Sequence, residues 1–185
     1  MIGFDNQRLQ DNMKATAQNS EKKLERAEEF AKEKHARIIR KDKITPYTFH
    51  LEQVVAKARM LGIQDEVILC AAWLHDTIED TNTDFDEIAD KQGFGFEVAT
   101  IVAQVSKDKR LPEAQRESLY VEQLAKANWK AQVIKLCDIW ANIEDLPSGY
   151  PDKEKRLIQI KKKISYFKAI RNGLEGLTLT KVLNL

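Results

Sequence analysis

The chain is expected to fold as a single all-α domain, a globular helical bundle. Glycine and proline are scarce, at 7 and 4 of 185 residues. Strict apolar-polar alternation, the mark of a half-buried strand, is rare. Apolar residues recur instead at spacings of three and four, which place them on one helical face. The length suffices for one real core, and no internal repeat, linker or second domain is visible.

Residues 1–20 are polar and are expected to form an N-terminal arm or an extra helix ahead of a main domain over 21–185. Residues 21–39 carry Leu24, Ala27, Phe30, Ala31 and Ile38 at helical spacings. Lys41 to Tyr47 reads as a loop broken by Pro46, whose ring removes a backbone donor. A second helix is expected over His50–Leu61, stopping at Gly62, a residue suited to the left-handed conformation after a helix end. A third carries the apolar run Ile68, Leu69, Ala71, Ala72, Trp73, Leu74 and continues through 71–81. Asn82-Thr83 offers an N-cap for a short helix over Phe85–Gln92. Gly93 and Gly95 separate it from a helix over Phe96–Ser106. After a loop at Lys107–Pro112, helices are expected over Glu113–Ala127 and from Lys130 to Asp145. Leu146–Pro151 is a break. A last helix covers Asp152–Asn172, with Leu157, Ile160, Ile164, Phe167 and Ile170 as its apolar stripe.

Composition excludes several classes. Hydrophobic residues make up 43% and charged residues 32%, a globular balance. A net charge of +1 gives no whole-chain case for nucleic acid or a membrane surface as partner, so an anion site would have to be local. No apolar run is long enough to span a bilayer, and the N-terminus has no apolar signal region. Cys70 and Cys137 lie in apolar surroundings and read as small buried hydrophobes in a reducing cytoplasm.

The segment AAWLHDTIEDT, residues 71–81, concentrates the chemistry. His75 and Asp76 are adjacent, and Glu79 and Asp80 follow four residues after each of them. On a continuous helix, residues at that spacing share a face. A carboxylate pair at a helix C-terminus opposes the macrodipole, so chance composition is a poor account of it. An acidic pair beside a His-Asp pair can hold a water near a metal and accept its proton.

A first-row metal needs more ligands than His75 and Asp76. His50 opens a helix after TPYTFH, and Asp138 sits in the apolar helix IKLCDIWAN. A carboxylate among Ile134, Leu136, Cys137, Ile139 and Trp140 is costly to bury unless paired or metal-bound. The alternative for Asp138 is a buried ion pair, for example with Lys135. Two histidines and two aspartates form a nitrogen and oxygen set that suits Mn²⁺, Fe²⁺ or Zn²⁺ and argues against a thiolate zinc site. Asn142 lies one turn after Asp138 and can donate to a substrate from the same face.

The order His50, His75-Asp76, Asp138 resembles that of HD-domain phosphohydrolases. Three longer strings, RKDKITPYTFH (40–50), HDTIEDT (75–81) and KLCDIWAN (135–142), resemble the hydrolase domain of the RelA/SpoT group. That domain removes the 3′-pyrophosphate of (p)ppGpp. The small stand-alone MESH1-like alarmone hydrolases are the nearest in look, and KDKRLPEAQRESLYVEQL (107–124) is similar to theirs. The resemblance spans most of 21–172 and leaves no segment for a synthetase or regulatory domain.

It implies His50, His75, Asp76 and Asp138 as ligands of a Mn²⁺-type ion, and Glu79 and Asp80 as the groups around the nucleophilic water. It implies Arg40, Lys41 and Asn142 as contacts of a small nucleotide, and His35 as a histidine that is not a ligand. Leu51 stands where the group usually has Pro, Ile139 where a basic residue is common, and Ile38 where Gln is frequent. None of these departures removes a ligand.

Other features keep two readings. Arg40-Lys41 is either a phosphate-binding pair or a solvated loop. Lys107, Lys109 and Arg110 form a basic loop that could reach a pyrophosphate, with Lys109 the member to test, or is solvated. The run KEKRLIQIKKK (153–163) reads as the solvated face of a helix rather than an anion site, and Tyr166 as core rather than pocket wall. Trp73, Trp129 and Trp140 are expected in the core or in the pocket wall. Two alternatives stand beside alarmone hydrolysis. One is a phosphohydrolase of another nucleotide or phosphorylated cofactor, such as NADPH. The other is a non-catalytic nucleotide-sensing module, which would show a broken ligand set.

Overall fold

The apolar run of the third helix becomes the centre of the molecule. The computed structural model describes residues 3–174. Helix α3 (Glu66–Leu74) is buried from Ile68 through Leu74, as a helix apolar on every side must be. Asp65 starts it by accepting a hydrogen bond from the Ile68 amide at 3.0 Å. Around it pack α1 (Gly3–Lys34), α2 (Thr48–Met60), α5 (Phe96–Val105) and α7 (Trp129–Glu144). Ala27, Phe30 and Ala31 of α1, Leu51, Val54 and Ala58 of α2, and Val98, Ile101 and Val102 of α5 close this core. A smaller core of Tyr120, Leu124, Ile139, Tyr166 and Ile170 joins α6 (Glu113–Lys126), α7 and α9 (Lys153–Leu174). Among the described residues the only β pairing is an isolated bridge between Ile39 and Pro46. No described helix is long and apolar enough to cross a membrane.

The single all-α bundle is as expected, with several local corrections. Residues expected as an arm or extra helix enter α1 from Gly3 onward without a break, while 1–2 and 175–185 lie outside the described residues. Ile38 falls beyond the end of α1, in a loop closed by the Ile39–Pro46 bridge and by Asp42, which accepts from the amides of Ile44 and Thr45 at 2.9 Å. The short helix before Gly93 contains a π-helical turn, Glu87–Lys91. The cap ahead of it is Asp84, which accepts from the Glu87 amide at 2.7 Å, rather than Asn82 or Thr83. The break at 146–151 holds a one-turn helix, α8 (Leu146–Gly149), begun by Pro147. Trp73 is core; Trp129 is half-buried against it, and Trp140 is half-buried with its indole N–H donated to Glu144 at 2.6 Å.

The α9 stripe is the largest correction. Leu157, Ile160, Ile164 and Phe167 are exposed, and only Ile170 of the expected set is buried. The helix is rotated so that Gln159, Lys163, Tyr166 and Ile170, also spaced by four, three and four, face inward. Tyr166 is core, as expected; its ring packs edge-on against Tyr120 at 5.2 Å.

The continuous helix expected through 71–81 is interrupted at His75-Asp76. Helix α3 stops at Leu74, and a separate turn, α4 (Thr77–Asp80), begins after two intervening residues. Side chains take the carbonyls that a continuous helix would give to backbone amides. His75 Nδ1 bonds Ala72 O at 2.8 Å, and Thr77 Oγ1 bonds Leu74 O at 2.6 Å. Such local bonds compete with the helix ladder. Glu79 and Asp80 therefore belong to a new single turn and do not close the longer helix α3, whose macrodipole ends at Leu74.

Candidate metal centre and active site

Three elements deliver the cluster. His50 lies in the first turn of α2, the His75-Asp76 pair at the break after α3, and Asp138 near the middle of α7. The ligand atoms of His50, His75 and Asp138 lie within 4.8 Å of one another. His50 Nε2 is 3.1 Å from Asp138 Oδ1 and 3.6 Å from Asp76 Oδ2. His75 Nε2 is 2.9 Å from Asp76 Oδ2 and 3.9 Å from Asp138 Oδ1. All four residues expected as ligands thus converge.

The electrostatics of this cluster fit a cation. Ala72 O holds the His75 Nδ1 proton, so the neutral ring turns its Nε2 lone pair toward two carboxylates. That nitrogen is buried and makes no hydrogen bond despite its closeness to Asp76. Burial disfavours charge on His75, yet the Asp76 carboxylate overrides it and pushes the imidazole up to about 9. Acceptors facing one another in this way demand a positive charge between them, a proton or a metal ion. His50 goes the other way, its burial outweighing Asp138 and lowering its pKa. Burial likewise opposes ionisation of Asp138, but Lys135 holds its carboxyl well below the usual range.

The two oxygens of Asp138 have different partners, and the expected ion pair with Lys135 takes only one of them. Oδ1 faces the histidines, while Oδ2 pairs with the buried Lys135 ammonium at 2.7 Å. Asn142 donates to the Asp138 carbonyl at 2.9 Å and also touches Oδ1. Tyr47 OH donates to Asp76 Oδ2 at 2.7 Å and stacks on His35 with ring centroids 5.2 Å apart. His35 is fully buried and away from the cluster, bonded through Nδ1 to Ala31 O at 2.8 Å.

The cluster opens into a cleft of about 610 Å³. Glu79 and Asp80 line it beside Asp76. Glu79 Oε2 accepts the Lys107 amide at 2.9 Å, and burial followed by the Asp76 charge raises its pKa. Asp80 pairs with Lys109, which is half-exposed and outside the cleft wall. Lys107 lines the cleft instead. Arg40, Lys41 and Asn142 all line it too. Arg40 is paired with Asp145 at 2.9 Å, and Lys41 meets the Tyr150 hydroxyl. Burial, then the neighbouring Arg40, lowers the Lys41 pKa.

Several cleft residues escape sequence reasoning. Tyr47, Asp145 and Tyr150 stand on loops and helix ends with no periodic signal. Gln159 and Lys163 were hidden inside the basic run assigned to solvent, of which Lys163 is half-buried and its pKa pushed down to about 8 by burial. The signal for them was the 159, 163, 166, 170 spacing, whose lower half is apolar core and whose upper half is polar.

A histidine from one helix, a His-Asp pair closing a second and an aspartate within a third define the class of HD-domain proteins. The HD domain model matches residues 27–172, and the chain belongs to the HD domain family. It is 38% identical over 159 residues to guanosine-3′,5′-bis(diphosphate) 3′-pyrophosphohydrolase MESH1 of Xenopus tropicalis, covering 81% of this chain and 83% of that one. Identity to the Homo sapiens protein of the same name is 36% over the same coverage. A solved structure superposes with a TM-score of 0.76 at 31% identity, covering 88% of this chain and 92% of its own. That protein is described as a metazoan ortholog of SpoT that hydrolyzes ppGpp and plays a role in starvation responses.

Proposed function

We propose that this chain is a Mn²⁺-dependent hydrolase that removes the 3′-pyrophosphate of guanosine alarmones, converting ppGpp and water to GDP and pyrophosphate. The observation that carries this reading is the convergence of two buried imidazole Nε2 atoms on two carboxylates, Asp76 and Asp138, that line a cleft also bearing Arg40, Lys41 and Lys107. The likeness to the MESH1 hydrolases selects the substrate among phosphoesters.

His50, His75, Asp76 and Asp138 would hold the ion, a set that also accepts Fe²⁺ or Zn²⁺. Bound there, a divalent ion lowers the pKa of water and polarises a phosphoryl oxygen. Glu79 and Asp80 are the groups assigned to the attacking water. With one Glu79 oxygen tied to the Lys107 amide, the other is available to take the water's proton, and a raised pKa suits that task. Lys109 pairs with Asp80, and we assign this lysine to the pyrophosphate on the strength of that contact. The water oxygen bonds to the phosphorus attached to the 3′ oxygen. The 3′ O–P bond then breaks, and the 3′ oxygen leaves with a proton.

Arg40, Lys41 and Asn142 are assigned to the nucleotide. A guanidinium forks onto phosphate or stacks on a base, whereas an ammonium is a point charge. Asp145 holds Arg40 ready, and a phosphate competes with it for the guanidinium. Two buried free cysteines support a reducing, cytoplasmic setting.

The test is purified protein with Mn²⁺ and ppGpp, products resolved, beside a panel of NADPH, nucleoside monophosphates and cyclic nucleotides. GDP and pyrophosphate from ppGpp are expected. Turnover of a panel member without turnover of ppGpp would reassign the substrate. Binding of ppGpp without turnover of anything would support a sensing module.

A further inference from the structure

Lys135 contributes no ligand, yet it is the most enclosed cation beside the cluster. It is buried one helical turn before Asp138, with its ammonium 2.7 Å from Asp138 Oδ2. The same ammonium lies 5.0 Å from the Tyr120 ring centroid and 5.2 Å from that of Tyr166. The rings meet edge to face at 87°. Each is anchored through its own hydroxyl: Tyr120 donates to Val105 O at 2.5 Å, and Tyr166 donates to Glu117. The cage is thus built by α6 and α9, neither of which supplies a residue of the cluster.

We propose that Lys135, held by Tyr120 and Tyr166, is a positioning residue that locks Asp138 so that Oδ1 alone faces the metal. This rests on the metal reading above. A carboxylate free to rotate would offer either oxygen, or both, to an ion. Pairing Oδ2 with a fixed cation leaves Oδ1 as the acceptor 3.1 Å and 3.9 Å from the two imidazole nitrogens. Two aromatic faces suit the holder's role, because they attract an ammonium without adding a second anion to compete for it.

The proposal makes a prediction opposite in sign to simple charge repulsion. An ammonium beside a divalent ion repels it, so removing the charge should by that account tighten binding. If Lys135 positions Asp138, removing it loosens binding instead. Supporting residues of this kind typically govern about 10- to 100-fold in metal affinity.

The experiment is calorimetric titration of the metal-free full chain with Mn²⁺ alone, without substrate. For Lys135→Met the expected result is a Kd weakened about 10-fold or more. Lys135→Arg, which keeps the charge, should recover part of the loss. Equal or tighter Mn²⁺ binding by Lys135→Met overturns the proposal. Should that variant fail to fold by circular dichroism, Tyr166→Leu carries the test. It keeps the ion pair and removes one wall of the cage, and a several-fold weaker Kd is expected, while an unchanged Kd overturns the role of the cage. A wild-type chain that does not take up Mn²⁺ would sink the metal reading and this inference together. A chain that binds Mn²⁺ but leaves ppGpp intact would sink only the substrate.

Discussion

Raising the pH on the metal-free protein should destabilise it between about pH 6.5 and 8, and His75 supplies the reason. Its imidazole is raised from 6.5 to about 9 in the fold. Between those values the native chain holds a proton that the unfolded chain has lost. Stability from this group is complete below the unfolded pKa and is lost as pH rises through the folded one. The slope is about −1.4 kcal/mol per pH unit, so about 2 kcal/mol disappears between pH 6.5 and 8. The window is chosen for its neighbours. His50 is lowered, so its contribution changes below 6.5. Lys163, lowered to about 8, adds stability as pH rises above that value and flattens the curve there. The assay is urea denaturation in the presence of a chelator at half-unit pH steps. His75→Gln should abolish the slope, and saturating Mn²⁺ should replace it with stabilisation that grows with pH, because the ion displaces the proton. A flat or rising chelated profile would refute the claim that the cluster holds a proton in place of a cation.

Three substitutions separate the roles further. Asp138→Asn leaves Lys135 buried without a counter-charge. It should abolish Mn²⁺ uptake in calorimetry and cost about 3–5 kcal/mol in urea denaturation. Glu79→Gln should reduce kcat by about 100-fold, with the Mn²⁺ Kd nearly unchanged, since its carboxylate is assigned to the water. Arg40→Ala should raise KM by about 10-fold with little change in kcat, the pattern of lost uniform binding, read from steady-state kinetics on ppGpp.

Most of the fold was legible because its elements obey strong local rules. Gly62 ends α2 region with φ +82°, and Gly93 and Gly95 turn the chain at +67° and +91° before α5, where side chains would be strained. The apolar run before His75 could only be a buried helix. The rotation of α9 was not legible, because that helix carries apolar residues on two faces and periodicity alone does not say which one meets the bundle. The winning face is the one whose upper half can enter a polar cleft while its lower half packs on Tyr120. The four residues that converge were legible from residue types, but their geometry was not. On a regular helix, neighbouring side chains diverge by about 100°. The interruption at His75-Asp76, set by Thr77 and by the ring nitrogen of His75, allows the imidazole and the carboxylate to approach to 2.9 Å.

Under the proposed function, the cluster and the cleft divide the work of recognition. The cluster's four side chains define a class of chemistry and say little about which phosphoester enters. Selection falls to the walls, where Arg40, Lys41, Lys107, Lys135 and Lys163 stand against Asp42, Asp76, Glu79, Asp80, Asp138 and Asp145. Without an ion, five basic groups and the His75 proton face six acidic groups, and such a cleft has little net attraction for a polyphosphate. A divalent cation that displaces this proton turns the balance positive. The walls are also internally paired, Arg40 to Asp145 and Lys135 to Asp138, so part of their charge is already committed. Affinity for an anionic nucleotide is therefore coupled to metal occupancy, and by linkage the nucleotide tightens the ion in equal measure. On the proposed assignment, the acidic residues that would hold the ion and water thus also guard the cleft against phosphates when no ion is there.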